Sequence, residues 1–222
     1  MGGAGAAGAD DGAAADQDLA DHVLADHVFA VRSSRDQFIG RVFSVVSDEV
    51  AMPGGGVAVR DYVRHVGAVG VVAVDDVGRV VLVRQYRHPV RRQMWELPAG
   101  LIDVVGEDLP AAARRELAEE ADLVAERIDL LVDLHTSPGC SNEMIRIFLA
   151  RDLAPVSDQD RYDRRDEEAQ MQVRLVDVDE AVRMVLAGEI TNAAAVAGLL
   201  AAARARDTGW TSLRSVTEPV PR

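Results

Sequence analysis

Stretches rich in β-branched residues recur through the first half of the chain and predict strands. The turn sequence MPGGG, at 52–56, lies between VFSVVSDEVAM and VAVRDYVRHV, which predicts a hairpin in a small N-terminal sheet. Residues 67–87 contain GAVGVVAVDD and GRVVLVRQYR, which predict a second strand pair around a turn at Asp75, Asp76 and Gly78. Because these strands are almost continuous in valine, we expect both of their faces to be buried.

The second half of the chain alternates predicted strands with predicted helices. MWELPAG, at 94–100, predicts a strand that ends in a Pro/Gly turn, and a helix is predicted from Leu109 to about Ala121 with Asp108 as its N-cap. IDLLVDLHTSPG and MIRIFLARDL predict further strands, and residues 176–206 predict helix, turn and helix. Strands in both halves with helices between them predict a mixed α/β fold.

The composition of the chain limits which kinds of partner and which cellular compartment can be expected. The chain has 222 residues, 48% of them hydrophobic, and a formal charge of -13. This acidic balance argues against a nucleic-acid partner, which usually requires a basic face. No run of about 18 apolar residues occurs, so no membrane span is expected. Cys140 is the single cysteine, so no internal disulfide can form and a reducing cytoplasm is the expected location.

The pattern divides the chain into four parts. Residues 1–17 are rich in Gly, Ala and Asp and predict a disordered tail. Residues 18–65 form a β-rich N-terminal unit, and residues 66–206 form the main α/β domain. The polar residues 207–222 predict a flexible C-terminal tail.

Three glutamates lie close together in RRELAEEADL, at 114–123. Glu116, Glu119 and Glu120 share one side of the predicted helix because they are spaced three and four residues apart. Like charges at this spacing destabilise a helix by roughly 0.2–0.5 kcal/mol per pair. A divalent cation bound between the carboxylates would relieve this repulsion, and a solvated acidic face is the alternative.

This region resembles the Nudix box, G-x5-E-x7-R-E-U-x-E-E-x-G-U with U aliphatic. The matching positions are Gly100, Glu107, Arg115, Glu116, Leu117, Glu119, Glu120 and Leu123. Six residues rather than five separate Gly100 from Glu107, which a loop can absorb. Glu107 is expected to fix that loop, and a direct contact with the metal is the alternative. Asp122 stands where the pattern has glycine. Strain in a left-handed conformation there costs on the order of 1 kcal/mol and affects stability rather than chemistry.

Softer markers outside the box look like the ADP-ribose pyrophosphatase branch of this superfamily. R-Q-Y-R precedes the box and S-P-G follows it, with Pro138 fifteen residues after Leu123. The resemblance implies a Nudix fold, in which a mixed β-sheet is sandwiched between helices, with a small N-terminal antiparallel β-sheet domain. In this branch the N-terminal unit commonly exchanges between subunits. The resemblance therefore implies that residues 18–65 are a dimerisation unit and that the protein is a homodimer with shared sites.

The resemblance also implies the metal ligands. Glu116 and Glu120 are expected to coordinate Mg²⁺, with the backbone carbonyl of Ala99 as a further ligand, and Mn²⁺ suits the same ligands. Glu119 is expected to contribute to a second metal or to contacts around the ligands. Arg115 is expected to orient the glutamates through charge-assisted hydrogen bonds rather than to touch the substrate.

Further residues are candidates for the base and for substrate contacts. In the resembled branch a glutamate on the DEEAQMQV loop is proposed as general base. Glu168 aligns best, Glu167 is the alternative, and a charged loop without this role stays open. Arg60 and Arg87 are candidates for phosphate or ribose contacts, although both could be surface ion pairs. Glu143 is a weaker candidate for a metal or ribose contact.

The implied reaction is metal-assisted hydrolysis of ADP-ribose to AMP and ribose 5-phosphate, in which water attacks one phosphorus. The first alternative is the same chemistry on another nucleoside diphosphate sugar or a dinucleotide. The second is a non-catalytic domain that senses ADP-ribose. The intact carboxylates favour the enzyme.

Overall fold

The computed structural model describes residues 29–104, 106–164 and 170–221. The predicted tail at 1–17 and the beginning of the N-terminal unit lie outside the described residues. The chain divides after Arg64 into two compact units. In the part of the chain that the structure describes, no helix is long and apolar enough to cross a bilayer.

The first unit contains a three-stranded sheet in the order β1-β2-β3. Its strands are β1 (Val31–Ile39), β2 (Phe43–Ala51) and β3 (Val57–His65). The hairpin predicted around MPGGG is therefore confirmed as β2 and β3. Strand β1 was not predicted, because VRSSRDQFI lacks the alternating apolar pattern of a half-buried strand. It forms an edge of the sheet and is exposed along its whole length.

The second unit contains the remaining elements. Its strands are β4 (Ala68–Ala73), β5 (Arg79–Arg87), β6 (Arg92–Glu96), β7 (Ala99–Leu101), β8 (Leu123–His135), β9 (Met144–Pro155) and β10 (Gln172–Asp177). Its helices are α1 (Leu109–Ala121), α2 (Val178–Leu186) and α3 (Ala193–Asp207). A mixed sheet has the order β7-β4-β9-β8, with β4 parallel to β9, and an antiparallel sheet has the order β10-β5-β6.

Strand β4 lies at the centre of the mixed sheet and is buried at all six positions. Val69 and Val71 belong to a hydrophobic cluster with Leu117 of α1. Val72, on the opposite face, belongs to a cluster with Leu199 of α3. Each fully buried side chain of this size stabilises the fold by about 1.5–3 kcal/mol. The prediction of a mixed sheet between helices, with β4 buried on both faces, is confirmed.

The predicted pairing of β4 with β5 is largely wrong, although both strands exist. They belong to different sheets and meet only near the turn, through a bridge between Val74 and Val80. The reason is that β7 and β9 occupy the two edges of β4, so β5 pairs with β6 and β10 instead. Valine-rich sequences predict a buried strand but do not specify its neighbours.

The C-terminal segment 207–222 differs from the predicted flexible tail. Its described residues run over the second unit, where the carbonyl oxygens of Glu218 and Pro219 accept hydrogen bonds from Arg146 at 2.7 and 3.0 Å. Arg146 is 2% exposed and also pairs with Asp133. A buried guanidinium group needs acceptors for all its donors, and the C-terminal carbonyls supply two of them.

Candidate active site

Helix α1 carries the glutamate cluster and begins and ends at specific side chains. The carboxylate of Asp108 accepts a hydrogen bond from the Ala111 amide at 2.7 Å, which confirms the predicted N-cap. Asp122 ends the helix with φ of 55°, in the left-handed region, and its amide donates to the Ala118 carbonyl. These caps set the position of the glutamates relative to the sheet.

Glu116 and Glu120 point towards the short strand β7. They are 8% and 5% exposed. Glu120 accepts a hydrogen bond from the Ala99 amide at 2.9 Å. At Gly100 a Cβ atom would overlap the carboxyl group of Glu116. The site therefore needs glycine at position 100, because the carboxylate fills the space that a side chain would take.

Arg115 connects the carboxylates on the other side of the cluster. Its guanidinium donates to Glu107 at 3.1 and 3.0 Å, to Glu116 at 2.5 Å and to Glu119 at 3.3 Å. Hydrogen bonding to Glu107 is the main cause that raises the pKa of Arg115, and the charges of Glu116 and Glu119 raise it further. Arg115 thus stays protonated and holds both the helix glutamates and the preceding loop.

The carboxylates engage protein partners in this arrangement. Over residues 29–104, 106–164 and 170–221, no three His, Cys, Asp or Glu side chains are arranged so that they could hold a metal ion together. Mg²⁺ typically takes one or two carboxylates and completes its shell with waters and substrate phosphates. Two buried carboxylates one helical turn apart, of which Glu116 occupies the space that the missing Cβ of Gly100 leaves, suit that mode of binding.

Arg87, a predicted substrate contact, pairs with a buried carboxylate. Its guanidinium forms a two-pronged contact with Glu96, with Nε–Oε1 and Nη2–Oε2 distances of 3.0 and 2.6 Å. Glu96 is 2% exposed, whereas the Arg87 side chain is 44% exposed. Arg87 therefore forms an ion pair, the alternative to a substrate contact, but its partner is buried rather than on the surface.

Glu143 lies in a small polar network in the second unit. Its carboxylate accepts a hydrogen bond from the Thr136 hydroxyl and lies 3.7 Å from Nδ1 of His65. The neighbouring Asn142 side chain accepts from the His65 amide at 2.7 Å. Glu143 is thus held in place without belonging to the contacts of the α1 glutamates.

Arg60 belongs to the first unit. It lies on β3, and its guanidinium contacts the Val59 carbonyl at 3.0 Å and the Met52 sulfur at 3.9 Å. Its role towards the α1 cluster stays a prediction.

Comparison with known proteins decides the family. A sequence model of the NUDIX domain matches residues 64–197, which is more than half of the chain. The chain belongs to the Nudix family. An ADP-ribose pyrophosphatase of Mycobacterium tuberculosis is 45% identical over 195 residues, covering 87% of this chain and 92% of that protein. An ADP-ribose pyrophosphatase of Bacillus subtilis is 33% identical over 156 residues, covering 70% of this chain and 82% of that protein.

A solved structure supports the Nudix fold. The crystal structure of an ADP compounds hydrolase superposes with a TM-score of 0.69 at 22% identity, covering 82% of this chain and 96% of that one. At this identity the likeness concerns the fold alone. The Nudix fold predicted from the sequence is thereby confirmed.

Helix α1, which carries the Nudix box glutamates and is called the Nudix helix below, borders an open cavity of about 620 Å³. It is lined by Arg115, Ala118 and Glu119 of α1 and by residues 160–163 of the segment that follows β9. Glu167 and Glu168, the predicted bases, lie outside the described residues. Two ion-pair partners were not predicted as site residues: Glu96, which pairs with Arg87 across β5 and β6, and Arg164, which pairs with Asp122 at the end of the Nudix helix. The strand-and-turn sequence MWELPAG, which contains Glu96, is a sequence signal that could have drawn attention to this residue.

Proposed function

We propose that this Nudix protein hydrolyses the diphosphate bond of ADP-ribose, releasing AMP and ribose 5-phosphate, in a reaction that depends on a divalent cation. The observation that carries the proposal is the pair of buried carboxylates, Glu116 and Glu120, packed against Ala99 and Gly100 at the end of a strand. The names of the two relatives, both ADP-ribose pyrophosphatases, support the substrate.

The proposed cation is Mg²⁺, with Mn²⁺ as a substitute. Glu116, Glu120 and the Ala99 carbonyl would hold it, and Glu119 would contribute to a second metal or to neighbouring contacts. When bound, the cation neutralises the diphosphate and lowers the barrier to attack by water. The donor set fits this cation, since carboxylate and carbonyl oxygens are the ligands that Mg²⁺ prefers.

The protein's own side chains divide the remaining work. Arg115 keeps the carboxylates of the Nudix helix and Glu107 in fixed orientation through its hydrogen bonds. Glu168, or else Glu167, accepts the proton of the attacking water as general base. The P–O bond of the diphosphate then breaks, and the oxygen of the departing phosphate carries away the electron pair.

Substrate contacts are proposed for three residues. Arg87 and Arg60 suit phosphate or ribose oxygens because guanidinium groups bind such oxygens in pairs. The hydrogen bonds that Arg87 donates to Glu96 hold its guanidinium group in a fixed direction, which supports a positioned contact. Glu143 is proposed as a weaker ribose or metal contact.

A panel of nucleoside diphosphate derivatives tests the function. The full chain is incubated with ADP-ribose, other nucleoside diphosphate sugars and dinucleotides, with Mg²⁺ or Mn²⁺, and AMP release is followed. We expect ADP-ribose to have the highest kcat/KM and chelation to abolish turnover. A higher kcat/KM for another diphosphate would make that compound the preferred substrate in place of ADP-ribose. Absence of turnover with all of them would exclude an enzymatic function. Glu126→Gln, an exposed glutamate outside the cluster, is the control against Glu120→Gln.

We propose that two copies of the chain form a homodimer through the first unit. Strand β1 is an exposed edge strand, and Phe38 and Ile39 on it are 55% and 72% exposed. Exposed apolar side chains on an unpaired edge favour association. Light scattering should give a mass twice that of a single chain, and Ile39→Asp should shift the measured mass towards that of one chain.

The reducing cytoplasm inferred from the single cysteine stays the expected location.

A further inference from the structure

The cavity beside the Nudix helix has two walls, and the proposed reaction uses the side chains of one. Arg115, Ala118 and Glu119 of α1 form that wall. Residues 160–163, called the facing segment here, form the other. The side chains of the facing segment have no part in the proposed hydrolysis, so their chemistry indicates what else the cavity accommodates.

Hydrogen bonds on both sides of the facing segment hold it against the end of α1. Before it, the Val156 amide donates to the Asp122 carbonyl at 2.9 Å. After it, Nε of Arg164 donates to the Glu119 carbonyl at 2.8 Å, and Nη2 pairs with the Asp122 carboxylate at 2.6 Å. The facing segment is therefore fixed to the helix by described contacts, and the cavity is formed before a ligand enters it.

The cavity adjoins the proposed cation site. Arg115, which lines it, donates to Glu116 at 2.5 Å and to Glu119 at 3.3 Å, and Glu119 directly precedes Glu120. A ligand in the cavity therefore lies beside the carboxylates proposed to hold the cation. A diphosphate bound at that cation carries two substituents, a nucleoside and a sugar, and the cavity can accommodate one of them.

The facing segment offers hydrogen-bond acceptors and an aromatic ring. Asp160 and Asp163 contribute carboxylates, which only accept hydrogen bonds and have several lone pairs each. Nη2 of Arg161, the one guanidinium group of the facing segment, lies 3.3 Å from the Asp158 carboxylate. Tyr162 is 51% exposed and is the one aromatic residue among the described residues that line the cavity. Such a surface favours a ligand with hydroxyl donors and an apolar face over a phosphate group.

Of the two substituents of the diphosphate in ADP-ribose, the sugar fits this surface better than the nucleoside. Adenine presents ring nitrogens that accept hydrogen bonds, and these would oppose the carboxylates of Asp160 and Asp163. The sugar beyond the diphosphate has more free hydroxyl groups than the ribose of the nucleoside, and each of them can donate to a carboxylate. Its carbon-bound hydrogens form an apolar face that can pack on the ring of Tyr162.

We propose that Tyr162 is a specificity-determining residue, whose ring packs against the sugar beyond the diphosphate while Asp160 and Asp163 accept hydrogen bonds from its hydroxyl groups. This inference rests on the proposed hydrolysis of a nucleoside diphosphate sugar. It leaves the cation and the diphosphate at the carboxylates of α1. Tyr162 therefore acts on the binding and choice of the sugar, and not on the phosphorus that reacts.

Steady-state kinetics of the full chain with ADP-ribose and Mg²⁺ test the contact with the ring. Tyr162→Ala should raise KM about tenfold with little change in kcat, because it removes an aromatic packing contact. Tyr162→Phe keeps the ring and should stay near the wild type. Leu186→Ala, which removes an exposed apolar side chain from α2, is the control. Unchanged KM in Tyr162→Ala would overturn the inference, and so would an equal rise of KM in Tyr162→Phe.

Inhibition by the two products shows which part of the substrate occupies the cavity. Tyr162→Ala should raise the inhibition constant of ribose 5-phosphate about tenfold and leave that of AMP unchanged. Equal rises for both products, or a rise for AMP alone, would overturn the inference. Asp160→Asn should raise the constant of ribose 5-phosphate about threefold, as expected for one weakened hydrogen bond. An unchanged constant in Asp160→Asn would overturn the role of that carboxylate.

Calorimetric titration of the full chain with ribose 5-phosphate separates this inference from the proposed function. Tyr162→Ala should bind ribose 5-phosphate more weakly than the wild type does. If the wild type hydrolyses no diphosphate but binds ribose 5-phosphate in a way that depends on Tyr162, the proposed function fails and the sugar subsite stands. If the wild type hydrolyses ADP-ribose and Tyr162→Ala binds ribose 5-phosphate as tightly as the wild type, the subsite fails and the function stands.

Discussion

Two clusters of charged side chains are buried in the second unit, and they differ in how the charges are matched. In the C-terminal cluster, one carboxylate, Asp133, receives hydrogen bonds from two guanidinium groups, those of Arg146 and Arg214. Burial opposes ionisation of Asp133, but the two arginines outweigh it and hold the pKa of the carboxyl below its ordinary value. This cluster satisfies its charges and fastens the chain end.

In the α1 cluster, the ratio of guanidinium groups to carboxylates is reversed. One guanidinium group, that of Arg115, is shared among Glu107, Glu116 and Glu119. Like charges therefore remain next to one another, at a cost of roughly 0.2–0.5 kcal/mol per helical pair. Buried charges therefore have two roles in this fold. A cluster in which positive and negative groups are matched stabilises the fold, whereas a cluster that keeps like charges together is typical of a functional site.

Breaking the matched cluster should produce the largest loss of stability. Arg146→Ala removes the main partner of Asp133 and leaves a buried carboxylate incompletely paired. We expect the free energy of unfolding to fall by about 3–5 kcal/mol, as measured by urea denaturation. At temperatures well below the unfolding midpoint, kcat should stay near that of the wild type.

Arg183→Ala is the matched control, because its pair is exposed, and it should change stability by less than about 0.5 kcal/mol. A loss in Arg146→Ala as small as that of the control would contradict the structural role of the C-terminal cluster.

Removing a charge from the α1 cluster should have the opposite effects on activity and stability. Glu120→Gln keeps an acceptor for the Ala99 amide but removes the charge, so kcat should fall roughly 100- to 1,000-fold. Stability without metal should be equal or higher, since a repulsion is removed. Mg²⁺ should raise the unfolding midpoint of the wild type but not of the variant. A midpoint that responds equally to Mg²⁺ in both would contradict Glu120 as a ligand.

Local sequence was sufficient for much of the fold. Helix α1 was predicted with both of its ends, because Asp108 and Asp122 act on backbone groups within a few residues. The burial of β4 followed from its valines. Strand β1 and the pairing of β5 were not predicted, because the first has a polar sequence and the second depends on which strand edges remain open.

The residues of the candidate site likewise include some that local sequence indicates and some that it does not. The Nudix box gave Arg115 and the glutamates, since the helix places them on one side. The partners of Arg87 and Arg164 were not predicted, because Glu96 meets Arg87 only when β5 pairs with β6, and Asp122 meets Arg164 only when the segment after β9 packs against α1. Likewise the C-terminal segment is fixed by a buried arginine about seventy residues earlier in the chain, which no local pattern indicates.

A smaller effect is expected where the backbone meets the α1 cluster. Gly100→Ala places a methyl group where the Glu116 carboxyl lies, so the carboxylate has to move. We expect kcat to fall by about tenfold while the protein stays folded. Gly56→Ala is the control, because a Cβ there meets open space and φ is not in the left-handed region. Wild-type kcat in Gly100→Ala would show that the Glu116 position is not critical.

The smallest effect concerns the exposed member of the matched cluster and should depend on pH. Arg214→Gln removes a half-exposed partner of Asp133, so stability at pH 7 should fall by less than about 1 kcal/mol. The pKa of Asp133 is lowered in the folded protein, hence its stabilising contribution is present above the unfolded value, about 4, and is lost as pH falls through the folded value. The difference between variant and wild type in urea denaturation should therefore shrink as pH is lowered from 7 to 3. A constant difference over that range would mean that the Arg214 side chain stabilises the protein by a route other than its contact with the charge of Asp133.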